Sequence, residues 1–204
     1  LAIDDKKFYV DGLYFVDTSF LDVFTFELLR GDPATALTEP YSLVLTEEIA
    51  RKYFGEEDPM GKMLRLNDQA SMKVTGVLKD IPTNSHLKFT MLGSLSTLMK
   101  ELGEGRYKEN WGSLFLHSYI RLHHGTDPIA FGEKIKLVIR DAFGEEAEGY
   151  NIEMVPYLQP LAGIHLHSNL MAELEPNSDI SYIYIFSAVA IFILVIACIN
   201  FMNL

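Results

Sequence analysis

From Ile180 to Leu204 the sequence carries no charged residue. Its dense part, Ile183 to Leu204, holds 22 residues. As a helix rising about 1.5 Å per residue it would cover roughly 33 Å, enough for the hydrocarbon core of a bilayer. Tyr182 and Tyr184 stand at its start, where an aromatic belt lies. A fully buried helix of a water-soluble protein is the competing reading, but such helices rarely run this long without a polar face. A signal peptide is excluded by position, since the run is C-terminal. Residues 180–204 are therefore expected to form a transmembrane helix.

The flank before this run sets an orientation. Glu173, Glu175 and Asp179 precede it, and no Lys or Arg follows Arg140. Cytoplasmic flanks are usually rich in Lys and Arg, so residues 1–179 are expected outside the cytoplasm. The single cysteine, Cys198, lies within the apolar run. That leaves the outer part free of thiols and rules out a disulfide framework or a Cys-rich zinc site. With 28 acidic against 17 basic residues and a net charge of -11, the chain lacks the basic face that nucleic acid requires. At 49% apolar it is no disordered chain. The sequence opens on Leu1 and stops inside an apolar run, so it reads as a piece of a longer protein.

Before the apolar run, short alternating stretches are interspersed with short helical ones. Lys7 to Val16 reads as a strand or hairpin. Ser19 is placed to cap a short turn carrying Phe20, Val23 and Phe24. Phe26 to Leu29 is a brief apolar run that stops at Arg30-Gly31. Thr46 to Gly55 has the pattern of a helix. Thr46 can cap it, Glu47 and Glu48 suit its positive end, and Gly55 can close it. Lys62–Leu66 and Ser71–Leu78 flank Asn67-Asp68 as a hairpin, ended by Asp80-Ile81-Pro82. His86 to Leu95 and Ser113 to Leu122 read as strands, Thr97 to Leu102 as a helical turn, and Gly103 to Gly112 as loop. Asp127 to Gly144 reads as a helix with Pro128 in its first turn and Phe131, Ile135, Val138 and Ala142 on one face. Asn151 to Tyr157 reads as a further strand.

The residues that could carry chemistry have plainer readings beside them. His165 and His167, two apart, would share one side of a strand and could hold a metal. The sequence offers no evident third ligand, and a structural or loop pair is the alternative. His123-His124 read as turn residues, and His86 and His117 as ordinary strand positions. No Gly-x-Ser-x-Gly elbow is present, and the segment between Gly55 and Gly61 lacks the ending of a phosphate loop. Phe8 to Leu29 reads as core, with a binding patch as the alternative. The expectation is no catalytic, cofactor-binding or metal residue, and no cofactor.

From Phe24 onward an order of motifs emerges. Leu29-Arg30-Gly31 is followed by Val44 to Gly55 and by Asp58-Pro59-Met60-Gly61-Lys62. Then come Leu64-Arg65-Leu66-Asn67 and Val74-Thr75-Gly76-Val77-Leu78-Lys79-Asp80-Ile81-Pro82. This order resembles the extracytoplasmic core domain of MacB/FtsX-like ABC transporter permeases, in a version similar to those of Bacteroidetes-type bacteria. Leu161 to Ser168 and the run with Ala197 to Asn203 are similar to the approach to, and body of, the second transmembrane helix of such permeases.

The resemblance implies an α+β domain between the first and second of four transmembrane helices. Residues 1–82 would form an inserted β-rich subdomain. Residues 83–179 would form a mixed α/β porter-like subdomain, incomplete on its N-terminal side, and 180–204 the C-terminal transmembrane helix. It also implies a non-enzymatic permease subunit of the bacterial inner membrane. Its outer domain would transmit ATP-driven motion for export or for extrusion of lipoproteins or other substrates. The implied partners are a cytoplasmic ABC ATPase, a second permease protomer, the lipid bilayer and a periplasmic adaptor, and no nucleic acid. Gly31, Gly55, Gly61 and Pro59 would shape turns. Two other classes remain open at this point: the ectodomain of a membrane-bound signalling receptor, and an anchored periplasmic hydrolase, which needs a clustered polar pocket.

Overall fold

The computed structural model describes residues 2–3, 6–7, 11–66, 70–103, 116–150, 155–170 and 173–203, with 2–3, 6–7 and 143–150 as backbone alone. Two compact units divide the chain, 1–156 and 157–204.

The first unit is built on Ser42–Thr46 (β5), whose five residues are all buried. A continuous apolar run of this kind fits a strand covered on both faces. On one side β5 runs parallel to Ala70–Leu78 (β7), and on the other antiparallel to Met91–Ser94 (β8). Leu13–Val16 (β3) lies parallel to β8 at one edge. Beyond β7 come Met63–Leu66 (β6), Ala2–Ile3 (β1) and Lys6–Lys7 (β2), while Leu28–Arg30 (β4) pairs with the far end of β7. The expected hairpin is β6–β7, with Met63 opposite Lys73 and Leu66 opposite Ala70. The turn expected at Asn67-Asp68 lies outside the described residues.

Helix α2, Glu47–Phe54, covers one face of the sheet. Ile49, Ala50, Tyr53 and Phe54 recur at helical spacing and pack with Leu43, Leu45, Leu64, Met72, Val74, Val77 and Met91. Val44 points the other way, as alternate strand residues must, and is also fully buried. On the aromatic side, Phe20 of α1 (Phe20–Val23) packs at 5.9 Å from Phe26 and 5.8 Å from Phe89. Phe20 is buried while Phe24 and Phe26 are half-buried. The described part of the aromatic-rich segment thus packs into the protein.

Capping differs in detail from expectation. Thr46 occupies the N-cap position of α2, but its side chain makes no cap bond. The Asp80 carboxylate, arriving from beyond β7, accepts the Glu48 N–H at 2.8 Å instead. Gly55 closes the helix as expected, with φ +64° and its N–H on the Arg51 carbonyl. Tyr41 is the one non-glycine residue with positive φ, +64°, among those described. Its N–H donates to Thr97 Oγ1 and its hydroxyl to Glu101, both at 2.6 Å. These bonds tie the loop before β5 to α3, Leu95–Leu102.

Hydrogen bonding crosses the boundary expected at residue 82: β8, which follows it, supplies neighbours to β5 and β3, which precede it. The strand expected over 86–95 is limited to β8. The segment 116–122 is no strand. Side chains hold it instead: Tyr119 bonds His86 at 3.1 Å and meets the Phe24 ring edge-on, and Arg121 donates to the Asp22 carbonyl. Residues 155–157 are not a strand either, and 104–115 and 151–154 lie outside the described residues.

Helix α4, Pro128–Tyr150, runs past Gly144, its expected end. One interior glycine costs about 1 kcal/mol, and Glu145-Glu146-Ala147-Glu148 after it are good helix formers. Asp127 caps the start by accepting the Ile129 N–H at 2.9 Å. Phe131 and Ile135 are half-buried on this helix, but Val138 is exposed and Ile139 takes its place.

The second unit holds a 3₁₀ turn at Leu161–Gly163, the one-turn helix α5 at Ile164–His167, and α6 at Ile180–Met202.

Candidate functional site

Helix α6 has 23 residues and so measures about 34 Å. It contains no Asp, Glu, Lys or Arg, and no part of its most apolar stretch is buried. It is apolar around its whole circumference, the property of a helix solvated by lipid or by other apolar helices. Among the described residues it is the one helix long and apolar enough to cross a membrane. Asp179, directly before the run, is its N-cap and accepts the Ser181 N–H at 2.7 Å. Hydrogen bonds from the Ser181 side chain and backbone hold the Asp179 carboxyl below the usual carboxylate range, and His167 nearby adds to the effect.

The approach to α6 folds back on itself. The Ser178 N–H donates to the His165 carbonyl at 2.9 Å, closing the segment between α5 and α6. Ser168 is the buried hub of the loop. Its hydroxyl donates to Glu173 and lies 3.2 Å from Gln159 Oε1, while its carbonyl accepts from Asn177 Nδ2 at 3.3 Å. Glu173 also accepts the Leu170 N–H at 3.1 Å.

His165 and His167 therefore sit exposed on a helical turn, not on a strand, and the strand geometry that would align them is absent. Among the described residues no group of three or more His, Cys, Asp or Glu could hold a metal ion. An open cleft beside the loop does group His167 and Ser168 with Glu173, Glu175 and Asp179. There Glu173 accepts from Ser168 and Leu170, and Asp179 caps α6. A general acid needs a raised pKa, whereas Asp179 is shifted downward. His123 accepts the Thr126 N–H in a turn, as expected, and His86 and His117 lie in irregular segments. Sequence reasoning missed the hub role of Ser168. It also missed the cap at Asp179, which the step from Asp to an uninterrupted apolar run would have signalled.

Residues 4–138 match the model of the MacB-like periplasmic core domain, well over half of the chain. The chain belongs to this family. No curated protein matches the sequence. Among solved structures, a crystallised domain assigned to a permease protein of Porphyromonas gingivalis shares 26% identity with a TM-score of 0.53. That likeness covers 68% of this chain and 62% of the other, so the chain spans less than two thirds of this relative. The periplasmic region of MacB from Actinobacillus actinomycetemcomitans gives 17% identity and a TM-score of 0.49 over 70% of this chain and 62% of that one. The extracellular domain of YknZ, a noncanonic ABC-type transporter from Gram-positive bacteria, gives 18% and 0.45 over 67% and 69%. The matched core-domain region falls within the first unit and ends before α6 begins. The protein thus joins a MacB-like extracytoplasmic core domain to a candidate transmembrane helix.

Proposed function

We propose that this protein is a permease subunit of a MacB/FtsX-type ABC transporter of the bacterial inner membrane. The outer core domain transmits ATP-driven motion for export or for extrusion of lipoproteins or other substrates. ATP is hydrolysed on a separate cytoplasmic ABC ATPase, and the permease works as a dimer with a second protomer. A periplasmic adaptor completes the assembly where the cargo must cross further.

What supports this reading is the succession of a core domain matched over residues 4–138 and a fully exposed apolar helix. The physical requirement for transmission is a body that moves without deforming. Close-packed interiors have low compressibility and carry strain across themselves. A sheet whose central strand β5 is buried on both faces, backed by α2, meets that requirement.

The test is to lock the outer domains of the dimer. In a Cys198→Ser background, cysteines are scanned over exposed outer-domain positions until a disulfide joins two protomers in membranes that contain the partner ATPase. Crosslinking is expected to suppress ATP-dependent transport and reduction to restore it. Transport that continues unchanged with the protomers fully crosslinked would remove the coupling.

A further inference from the structure

We propose that the segment from Tyr157 to Leu170 is seated in the headgroup layer of the bilayer that α6 enters, as an interfacial collar at the mouth of the span. This rests on the reading of α6 as membrane-spanning.

The first ground is distance. The Ser178 N–H binds the His165 carbonyl at 2.9 Å, and Ser178 lies two residues before Ile180, the first residue of α6. Two residues reach at most about 7 Å. The His165 carbonyl therefore lies within about 10 Å of the start of the helix. A headgroup layer is roughly 5–8 Å thick on each side of a hydrocarbon core of about 30 Å. Asp179 is the last charged residue before the apolar run and Ile180 the first of the helix, so the first turn of α6 stands where the hydrocarbon begins. The hydrogen bonds of Asn177 and Ser178 to Ser168 and His165 hold α5 beside this turn.

The second ground is chemistry. In a chain that is 22% charged, Pro156 to Ala172 contains no Asp, Glu, Lys or Arg. Tyr157, Leu161 and Leu170 stand 59%, 47% and 51% exposed within the unit that carries α6. Apolar side chains beside polar backbone and imidazole suit the boundary between headgroups and acyl chains, where Tyr and Leu bury apolar area without desolvating a charge. Of the three acidic residues of the loop, Glu173, Glu175 and Asp179, the first and last are engaged in hydrogen bonds within it, and all three follow the collar segment.

The experiment places single tryptophans in the whole chain, in a Trp111→Phe background, reconstituted into phosphatidylcholine vesicles. The lipids carry bromine either near the glycerol or near the tail ends. Leu161→Trp and, independently, Leu170→Trp report on the collar, and Phe192→Trp reports on the span. The expected result is loss of emission at 161 and 170, greatest with bromine near the glycerol, and at 192 greatest with bromine near the tail ends. Quenching at 192 with none at 161 or 170 overturns the collar and leaves the span standing. That holds whether those positions are open to aqueous iodide or shielded by a second copy or another protein. No quenching at 192 removes the spanning helix, and the collar with it.

Discussion

Gly31→Ala is expected to destabilise the first unit by about 2–4 kcal/mol, because strain and a clash fall on one atom. Gly31 has φ +97°, a region that side chains rarely enter. A Cβ there would sit 2.5 Å from the Thr75 carbonyl oxygen and 3.1 Å from Gly76 Cα. Both neighbours are backbone of β7, so no side chain can swing aside. The cause is the irregular junction of β4 with β7, where Leu28 faces Leu78 but Arg30 faces Val77. Gly55→Ala is the control. Gly55 also has positive φ, +64°, but a Cβ there meets nothing within 4 Å. Only the backbone penalty remains, about 1–2 kcal/mol. Urea unfolding of the detergent-solubilised chain, followed by amide protection in β5 and β7, would measure both. Equal losses would show that the close approach of β4 to β7 is absent.

The second large effect lies in α6. Ile191 and Val195 are in its middle turns and one turn apart. Arg at each position is expected to weaken insertion by about 3 kcal/mol, since a charge at the bilayer centre costs roughly that much on insertion scales. With residues 1–204 produced alone, the double replacement should leave most chains uninserted and extractable by alkaline carbonate. Substituting Ile191 and Val195 by Leu should leave insertion intact. If the Arg pair stays fully membrane-embedded, α6 does not contact lipid at its centre.

Much of the first unit was legible because its signals are local. Glu47 to Phe54 carries helical spacing, acidic residues at its start and a glycine at its end, and it is α2. The β-forming runs on either side of Asn67-Asp68 form the β6–β7 pair. Residues 116–122 show where local pattern stops deciding. Alternation makes a strand only if a partner edge is free, and here Tyr119 and Arg121 bind His86 and Asp22 instead. The α2 cap failed for a related reason. Thr46 has the right side chain, but Asp80, 32 residues beyond Glu48, supplies a charged acceptor to the same helix end. Nothing near Tyr41 announces a left-handed residue, because its partners Thr97 and Glu101 come from a distant helix. At the candidate site the apolar run alone marked α6. The fold-back through Ser168 and Ser178 depends on side chains with no spacing rule, and the helical turn at His165 and His167 broke the strand periodicity on which their pairing rested.

The account depends on an acidic outer domain attached to a helix that lives in lipid, and thiol labelling in intact cells tests both at once. Met63, half-exposed on β6, is replaced by Cys in a Cys198→Ser chain, and the unaltered chain is compared, with the outer envelope permeabilised in both. A membrane-impermeant maleimide should modify Cys at position 63 without lysis, and should leave native Cys198 untouched until detergent dissolves the bilayer. Labelling at 63 only after lysis, or free reaction of Cys198 in intact membranes, would contradict the account.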